Sequence, residues 1–210
     1  MNTGRFISLE GGEGAGKSTL AAGLAKALKA LGIPVICTRE PGGTPLAERV
    51  RAVVLERGDE VIDLTAETLL MFAARSIHLA NRIRPALAAG HWVICDRFTD
   101  ATYAYQGAGR GVPLPLIDSL AEAVQQGTWP DRTLLLDLPI EEGMRRAKRR
   151  GGPEDRFEVE QTAFFSRVRD AYRQRAAAAP ARFRVLDATL PPESLLAVAL
   201  DSLSDWLPSP

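Results

Sequence analysis

Cysteine, asparagine, net charge and long hydrophobic runs are what this chain has little of, and each shortage excludes something. Its two cysteines, Cys37 and Cys95, stand alone in apolar runs with no second Cys or His at metal-ligand spacing. A disulfide scaffold and a zinc site are therefore excluded, and buried, reduced thiols are expected. The only asparagines are Asn2 and Asn81, neither within the Asn-Lys-x-Asp reader that a guanine-dependent switch would carry. Lys plus Arg (26) balances Asp plus Glu (26), which leaves no net charge to draw the whole surface to nucleic acid or anionic lipid. Any anion site must be local. No stretch approaches the roughly 20 apolar residues of a membrane span. The run from Arg5 to Glu10 offers no signal-peptide core, so a cytoplasmic protein with no membrane or nucleic-acid partner is expected.

What is present is the composition of a globular domain, 46% hydrophobic and 25% charged over 210 residues. That length suits one α/β domain spanning 1–210. Apolar, β-rich runs at 6–9, 35–38, 92–95, 133–136 and 183–186 read as buried parallel strands. Between the first two, Leu20, Leu24, Ala27, Leu28 and Leu31 keep one helix face apolar until Gly32-Ile33-Pro34 stops it. Further helices are expected over 44–57, 65–89, 114–126, 140–150, 157–178 and 192–207. The βαβ alternation predicts a three-layer α/β sandwich.

Gly11-Gly12-Glu13-Gly14-Ala15-Gly16-Lys17-Ser18 fits G-x-x-x-x-G-K-[ST] and lies between a strand and a helix, as its mechanism requires. The glycines let backbone N–H groups turn inward around a β-phosphate, and the helix N-terminus adds partial positive charge. Lys17, expected as an exposed loop lysine, can bridge β- and γ-phosphates, and Ser18 would hold Mg²⁺. A nucleoside triphosphate is the ligand this pattern predicts. The acidic partner should end a neighbouring buried strand; Asp96 does so as a Walker-B-like residue, and Asp137, at the end of another strand, stays open by pattern alone. Asp96 is preferred because its neighbour is Arg97, suited to clamp a second phosphate, which favours transfer over hydrolysis.

Four further motifs follow the P-loop with its internal Glu13: Thr38-Arg39-Glu40-Pro41-Gly42-Gly43-Thr44, Asp96-Arg97-Phe98, Ala104-Tyr105-Gln106-Gly107 and Asp155-Arg156-Phe157-Glu158. In this order the chain resembles, over nearly its whole length, the thymidylate kinases of bacterial type, with Glu in the P-loop and arginines in the lid. The resemblance implies a P-loop NTPase fold with a five-stranded parallel sheet of order 2-3-1-4-5 flanked by helices. It also implies transfer of the γ-phosphoryl of ATP to dTMP, with Mg²⁺, by a homodimer. By the same resemblance Gly11, Gly12, Glu13, Gly14, Ala15, Gly16, Lys17, Ser18 and Thr19 bind ATP. Arg97 clamps the acceptor phosphate, Arg51 is its second hand, and Arg39, Glu40 and Pro41 form the loop beneath the nucleotide. Arg75 bonds thymine and Thr102 reads the pyrimidine edge. Tyr105 and Gln106 lie i+3 and i+4 from Thr102, on one face if this segment is helical; a plain core aromatic is the alternative for Tyr105.

The sequence departs from that pattern at the stacking position. The family usually has an aromatic four residues before the base-reading Arg; here that place is Met71, and Phe72 stands three before Arg75. Phe72 is expected under the base because it alone offers a π-face, with Met71 there and Phe72 in the core as the alternative. Basic residues at 145, 146, 148, 149, 150 and 156 surround Gly151-Gly152-Pro153. A solvated helix face is the usual explanation, but the break is hinge-like and coincides with the family's mobile lid, here about 145–156. With no Arg inside the P-loop, the lid must supply the catalytic cation: Arg150 first, or Arg146 or Arg156. Glu13 is expected to face the acceptor sugar or pair with a lid arginine. The competing functions are a kinase of another nucleotide or nucleoside and a P-loop switch protein.

Overall fold

The computed structural model describes residues 4–56, 62–150 and 162–207, without the side chain of Arg150. Arg156, the 151–156 part of the expected lid and the expected helical start at 157–161 lie outside the described residues. Five strands, β1 (Phe6–Gly11), β2 (Val35–Arg39), β3 (Trp92–Asp96), β4 (Arg132–Asp137) and β5 (Phe183–Asp187), form one sheet in the order β2-β3-β1-β4-β5. Every pairing is parallel, so each connection crosses over the sheet and helices cover both faces.

The alternation of side chains in β1 shows how the layers form. Ile7 and Leu9 face α1 (Lys17–Ala30) and α9 (Pro192–Asp201), where they join Leu24, Leu28, Leu134 and Leu195 in the largest apolar cluster. Phe6 points to the opposite face and packs with Leu79, Ile83, Val93 and Phe98. Farther along that face Leu135 meets Tyr105 together with Phe164, Val168 and Tyr172 of α8 (Thr162–Ala178). Cys95 is buried there, but Cys37 is exposed on the edge strand β2, so the expectation of two buried thiols holds for Cys95 alone; both are free.

Two helices differ from their expected form. The stretch 65–89 is α3 (Leu64–His78), a π-helical turn (Leu79–Ile83) and α4 (Arg84–Ala88). Pro85 has no N–H to give to the carbonyl four residues back, and the wider turn absorbs that missing bond. Over 192–207 the helix ends at Asp201 and a 3₁₀ turn, Ser204–Trp206, follows. The remaining elements are α2 (Pro45–Leu55), capped by Thr44, whose hydroxyl accepts from the Ala47 N–H, α5 (Thr99–Thr102) running into a π-helical segment (Tyr103–Gly109), α6 (Leu114–Gln125) and α7 (Ile140–Arg150).

Candidate active site

The strand order reverses beside β1, so a crevice opens at the carboxyl ends of β1 and β3. The loop leaving β1 turns through Gly14 (φ 70°) and Gly16 (φ 90°), left-handed positions that only glycine takes without cost. Lys17 then folds back, and its Nζ donates to the carbonyls of Gly11 (3.1 Å) and Gly12 (2.8 Å). The loop wraps this side chain, so Lys17 is buried and not the exposed lysine expected. Burial, and after it the nearby Arg97 guanidinium, lowers its pKa from 10.5 to about 8.

That shift has a testable sign. Between about pH 8 and 10.5 the ligand-free fold binds fewer protons at Lys17 than the unfolded chain, so this group makes stability rise with pH in that window. A phosphate beside the ammonium restores the charge, so nucleotide binding above about pH 8 should take up a proton and weaken as pH rises. Calorimetry of ATP binding in buffers of different ionisation heat should show little proton uptake at pH 7 and a growing fraction by pH 9. Uptake independent of pH would contradict the assignment.

Ser18 donates its Oγ–H to Asp96 Oδ2 at 2.8 Å. Asp137 is committed elsewhere, to Arg169 and Arg173 of α8, at 2.7 Å each. The donor set beside the P-loop is thus a hydroxyl and a carboxylate. It suits Mg²⁺, a hard cation that takes few protein oxygens and completes its shell with water and phosphate. Among the described residues no group of three or more His, Cys, Asp or Glu could form an all-protein metal site.

Arg97 follows Asp96 in a left-handed conformation, φ 68°, which costs a residue with a β-carbon about 1–2 kcal/mol. Neighbouring contacts hold the turn: Arg97 N–H donates to Leu9 O (2.9 Å) and Phe98 N–H donates to Glu10 Oε1 (2.7 Å). Burial, reinforced by the charge of Asp100, pushes Glu10 up to about 8, while the Tyr172 hydroxyl donates to its other oxygen at 2.8 Å. The Arg97 guanidinium donates to Gly11 O (3.0 Å) and Glu13 (2.8 Å) and lies 4.8 Å from the Tyr105 ring centroid. Glu13 therefore pairs with Arg97, a partner outside the two expected for it.

The opposite wall is built around Arg75. Its Nε donates to Glu40 Oε2 (2.7 Å), its Nη2 to Thr102 Oγ1 (3.0 Å) and Phe98 O (3.3 Å), and Nη1 is buried without a hydrogen-bond partner among the described residues. The guanidinium carbon sits 4.7 Å from the centroid of Phe72 and 5.3 Å from that of Phe98. Phe72 itself is core, packed with Tyr103, Ile117 and Ala121, and it is Met71 that reaches the cleft. The expected ring under the base is thus a ring behind the arginine. Around a helix Met71 lies about 40° from Arg75 and Phe72 about 60° to the other side, and the core takes the second direction.

One cleft of about 560 Å³ gathers these groups, a volume suited to small-molecule ligands. Its walls include Glu13, Gly14, Ala15, Gly16, Lys17, Ser18 and Thr19, then Glu40, Pro41, Arg51, Arg75, Asp96, Arg97, Thr102, Tyr105, Gln106 and Arg146. Gly11 and Gly12 face instead a smaller, mostly apolar cavity of about 210 Å³ between β4, α7 and α8. Arg51 Nη1 donates to Pro41 O at 3.0 Å, which fixes the loop at the cleft floor. Arg146 on α7 donates to Glu142 (2.6 Å) and to Ala188 O (2.9 Å). The P-loop and α7 meet backbone to backbone: a Cβ on Gly14 would strike the Gly143 carbonyl, and one on Gly143 would come within 2.6 Å of Glu13 O.

Sequence reasoning missed the groups behind the wall. Glu67 accepts from Gln106 Nε2 (2.8 Å) and Arg110 (3.1 Å), and His78 bonds Glu40 and Thr38. Glu67, Arg75 and His78 are polar residues on a buried helix face, and that misplacement was the available signal.

A parallel sheet of this order with a phosphate loop at its switch point is the architecture of the P-loop nucleotide-binding enzymes. The thymidylate kinase family model matches residues 9–197, and the chain belongs to that family. A thymidylate kinase of Chromohalobacter salexigens is 57% identical over 210 residues, covering 100% of this chain and 99% of the relative. One from Alcanivorax borkumensis is 53% identical over 97% of this chain and 99% of its own length. The crystal structure of thymidylate kinase from Ehrlichia chaffeensis superposes with a TM-score of 0.79 at 32% identity, covering 96% of this chain and 99% of that one.

Proposed function

We propose that this chain is an ATP-dependent nucleoside monophosphate kinase that moves the γ-phosphoryl of ATP to dTMP, giving dTDP for dTTP synthesis. The observation that carries the reading is one cleft with two unlike ends. At one end are the P-loop, Lys17 and the Ser18–Asp96 pair; at the other is Arg75, whose buried Nη1 has no hydrogen-bond partner among the described residues, beside Thr102. The 4-carbonyl of thymine can satisfy that N–H, whereas the 4-amino group of cytosine cannot. Arg97, between the two ends, holds the acceptor phosphate, with Arg51 as the second cation. Tyr105 and Gln106 close over the nucleoside, and Met71 lies against the base.

Phosphoryl transfer through a loose transition state leaves the protein to position the two nucleotides and meet their charge. Lys17 neutralises the donor phosphates, residues 13–19 cradle them, and the Arg97–Glu13 pair sets the acceptor's line of approach. Ser18 and Asp96 would hold Mg²⁺, which when bound supplies further neutralisation of the phosphates. The kinase domain spans 1–210 with a lid at about 145–156, and Arg146, Arg150 or Arg156 of that lid brings the remaining cation. Exposed Leu46, Val53, Leu64, Leu69 and Leu114 lie on α2, α3 and α6. These contacting helices offer an apolar face for a homodimer. No described helix is long and apolar enough to cross a membrane, and the balanced charge supports a cytoplasmic enzyme without a nucleic-acid partner.

The test is an acceptor panel with ATP and Mg²⁺. dTMP should be the best acceptor. dUMP, lacking one methyl, should lose about 10–200-fold in kcat/KM. dCMP, which puts an amino group where dTMP has its 4-carbonyl, and the larger purine monophosphates should lose more. Faster phosphorylation of dCMP or dAMP than of dTMP would overturn the substrate; nucleotide binding with no product from any acceptor would favour a switch protein.

A further inference from the structure

His78 has no exposed surface and no place on the cleft wall, yet both its ring nitrogens are engaged. Nδ1 lies 3.0 Å from Glu40 Oε1 and Nε2 lies 2.7 Å from Thr38 Oγ1. A carboxylate only accepts, so Nδ1 carries the hydrogen and, in the neutral ring, Nε2 accepts from the Thr38 hydroxyl. The other Glu40 oxygen takes Arg75 Nε at 2.7 Å. The result is a buried line from β2 to the cleft: Thr38, His78, Glu40, Arg75.

A guanidinium is planar, so fixing Nε and Nη2 fixes the direction of Nη1. Nη2 is fixed by Thr102 and Phe98 O, and Nε only by Glu40. Glu40 hangs on a side chain with three rotatable bonds, and one hydrogen bond to Arg75 leaves its carboxylate free to rotate about that contact. His78 takes the second oxygen and removes that freedom. The site is also sealed, because a Cβ on Gly43 would fall on both His78 Nε2 and Thr38 Oγ1. Any buried histidine needs a partner for each ring nitrogen; what distinguishes His78 is that one of its partners is the same carboxylate that holds Arg75 Nε.

We propose that His78 is a positioning residue for base selection: through Glu40 it locks the guanidinium plane of Arg75, a cleft-wall residue whose Nη1 is buried without a hydrogen-bond partner among the described residues. This rests on the reading of Arg75 as the group that meets the acceptor base. His78→Asn places an amide N–H near the position of Nδ1 and keeps the Glu40 bond, whereas His78→Gln places its amide near Nε2 and loses it.

The measurement is kcat and KM for dTMP, dCMP and ATP in the full chain and in His78→Gln, His78→Asn and Arg75→Ala. His78→Gln should raise the dTMP KM and lower the dTMP-to-dCMP ratio of kcat/KM, each by about tenfold, as expected for one buried hydrogen bond to a charged group. The ATP KM should stay unchanged, and His78→Asn should recover most of both losses. Equal effects of Asn and Gln, or a parallel rise in the ATP KM, would overturn the proposal. If His78→Gln does not fold, Thr38→Val, which removes only the outer anchor, should shift the same ratio in the same direction; an unchanged ratio overturns the proposal. A preference intact in Arg75→Ala would sink the base-reading role itself. A preference lost in Arg75→Ala but untouched by His78→Gln would sink the positioning role alone.

Discussion

Lys17→Ala is expected to lower kcat/KM by about 10³–10⁴, the loss of several kcal/mol of charge stabilisation in the transition state. The same variant should fold as well as the parent or better. Lys17 is buried, and desolvation disfavours its charge while the site is empty. Its two hydrogen bonds go to the carbonyls of Gly11 and Gly12, which can turn to water or ligand when the ammonium is gone. Stability and activity therefore move in different directions at this position, the sign of a group placed for function. A coupled assay and a thermal melt decide it. A folded Lys17→Ala enzyme working within about tenfold of the parent would remove Lys17 from the mechanism.

Alanine variants at 146, 149, 150 and 156, compared with ATP and dTMP both saturating, should divide sharply. The P-loop interior, Gly12-Glu13-Gly14-Ala15, brings no cation, and its one charged residue is engaged with Arg97. A second positive charge must come from elsewhere, and an arginine acting in cis is worth about 10³–10⁵ in rate. Arg149 is exposed, so Arg149→Ala should be almost silent. Arg146 lines the cleft and is steadied by Glu142 and the Ala188 carbonyl. At least one of Arg146, Arg150 and Arg156 should lose kcat by about a hundredfold or more while the ATP KM barely changes. Small losses at all four would mean a solvated face, with the transition-state charge met by other groups.

The strands and their parallel pairing were legible because five short apolar runs alternate with amphipathic segments, a pattern that few folds satisfy. The phosphate end of the site was legible for a different reason: its glycines, Lys17 and Ser18 are contiguous, and their spacing is itself the geometry. The base end was harder. Whether Met71 or Phe72 reaches the cleft depends on a rotation of about 100° around α3, and side-chain chemistry favoured the ring while packing gave the ring to the core. Asp96 is preferred over Asp137 for its neighbour Arg97, but Arg169 and Arg173, which tie Asp137 down, are partners more than 30 residues away in the chain. His78 escaped notice because a single histidine in an apolar helix carries no spacing; only Glu40 and Thr38, brought from another strand, give it meaning. The exposure of Cys37 followed from β2 being an edge, a property of strand order and not of the strand's own residues.

The meeting of Gly14 and Gly143 has a consequence for how the enzyme could vary. Two carbonyls and two glycines meet backbone to backbone at this joint, so any substitution larger than hydrogen at either place forces the two backbones apart. The phosphate loop and the first turn of α7 are then a single mechanical part, and the register between Lys17 and Arg146 is set by chain geometry before a nucleotide arrives. The segment that follows Arg146 can change in length or charge without disturbing that register, provided the joint is kept. A segment exchanged from a relative after Arg146 should leave Arg146 in place, whereas one spliced ahead of Gly143 should move Arg146 out of line with the phosphate loop.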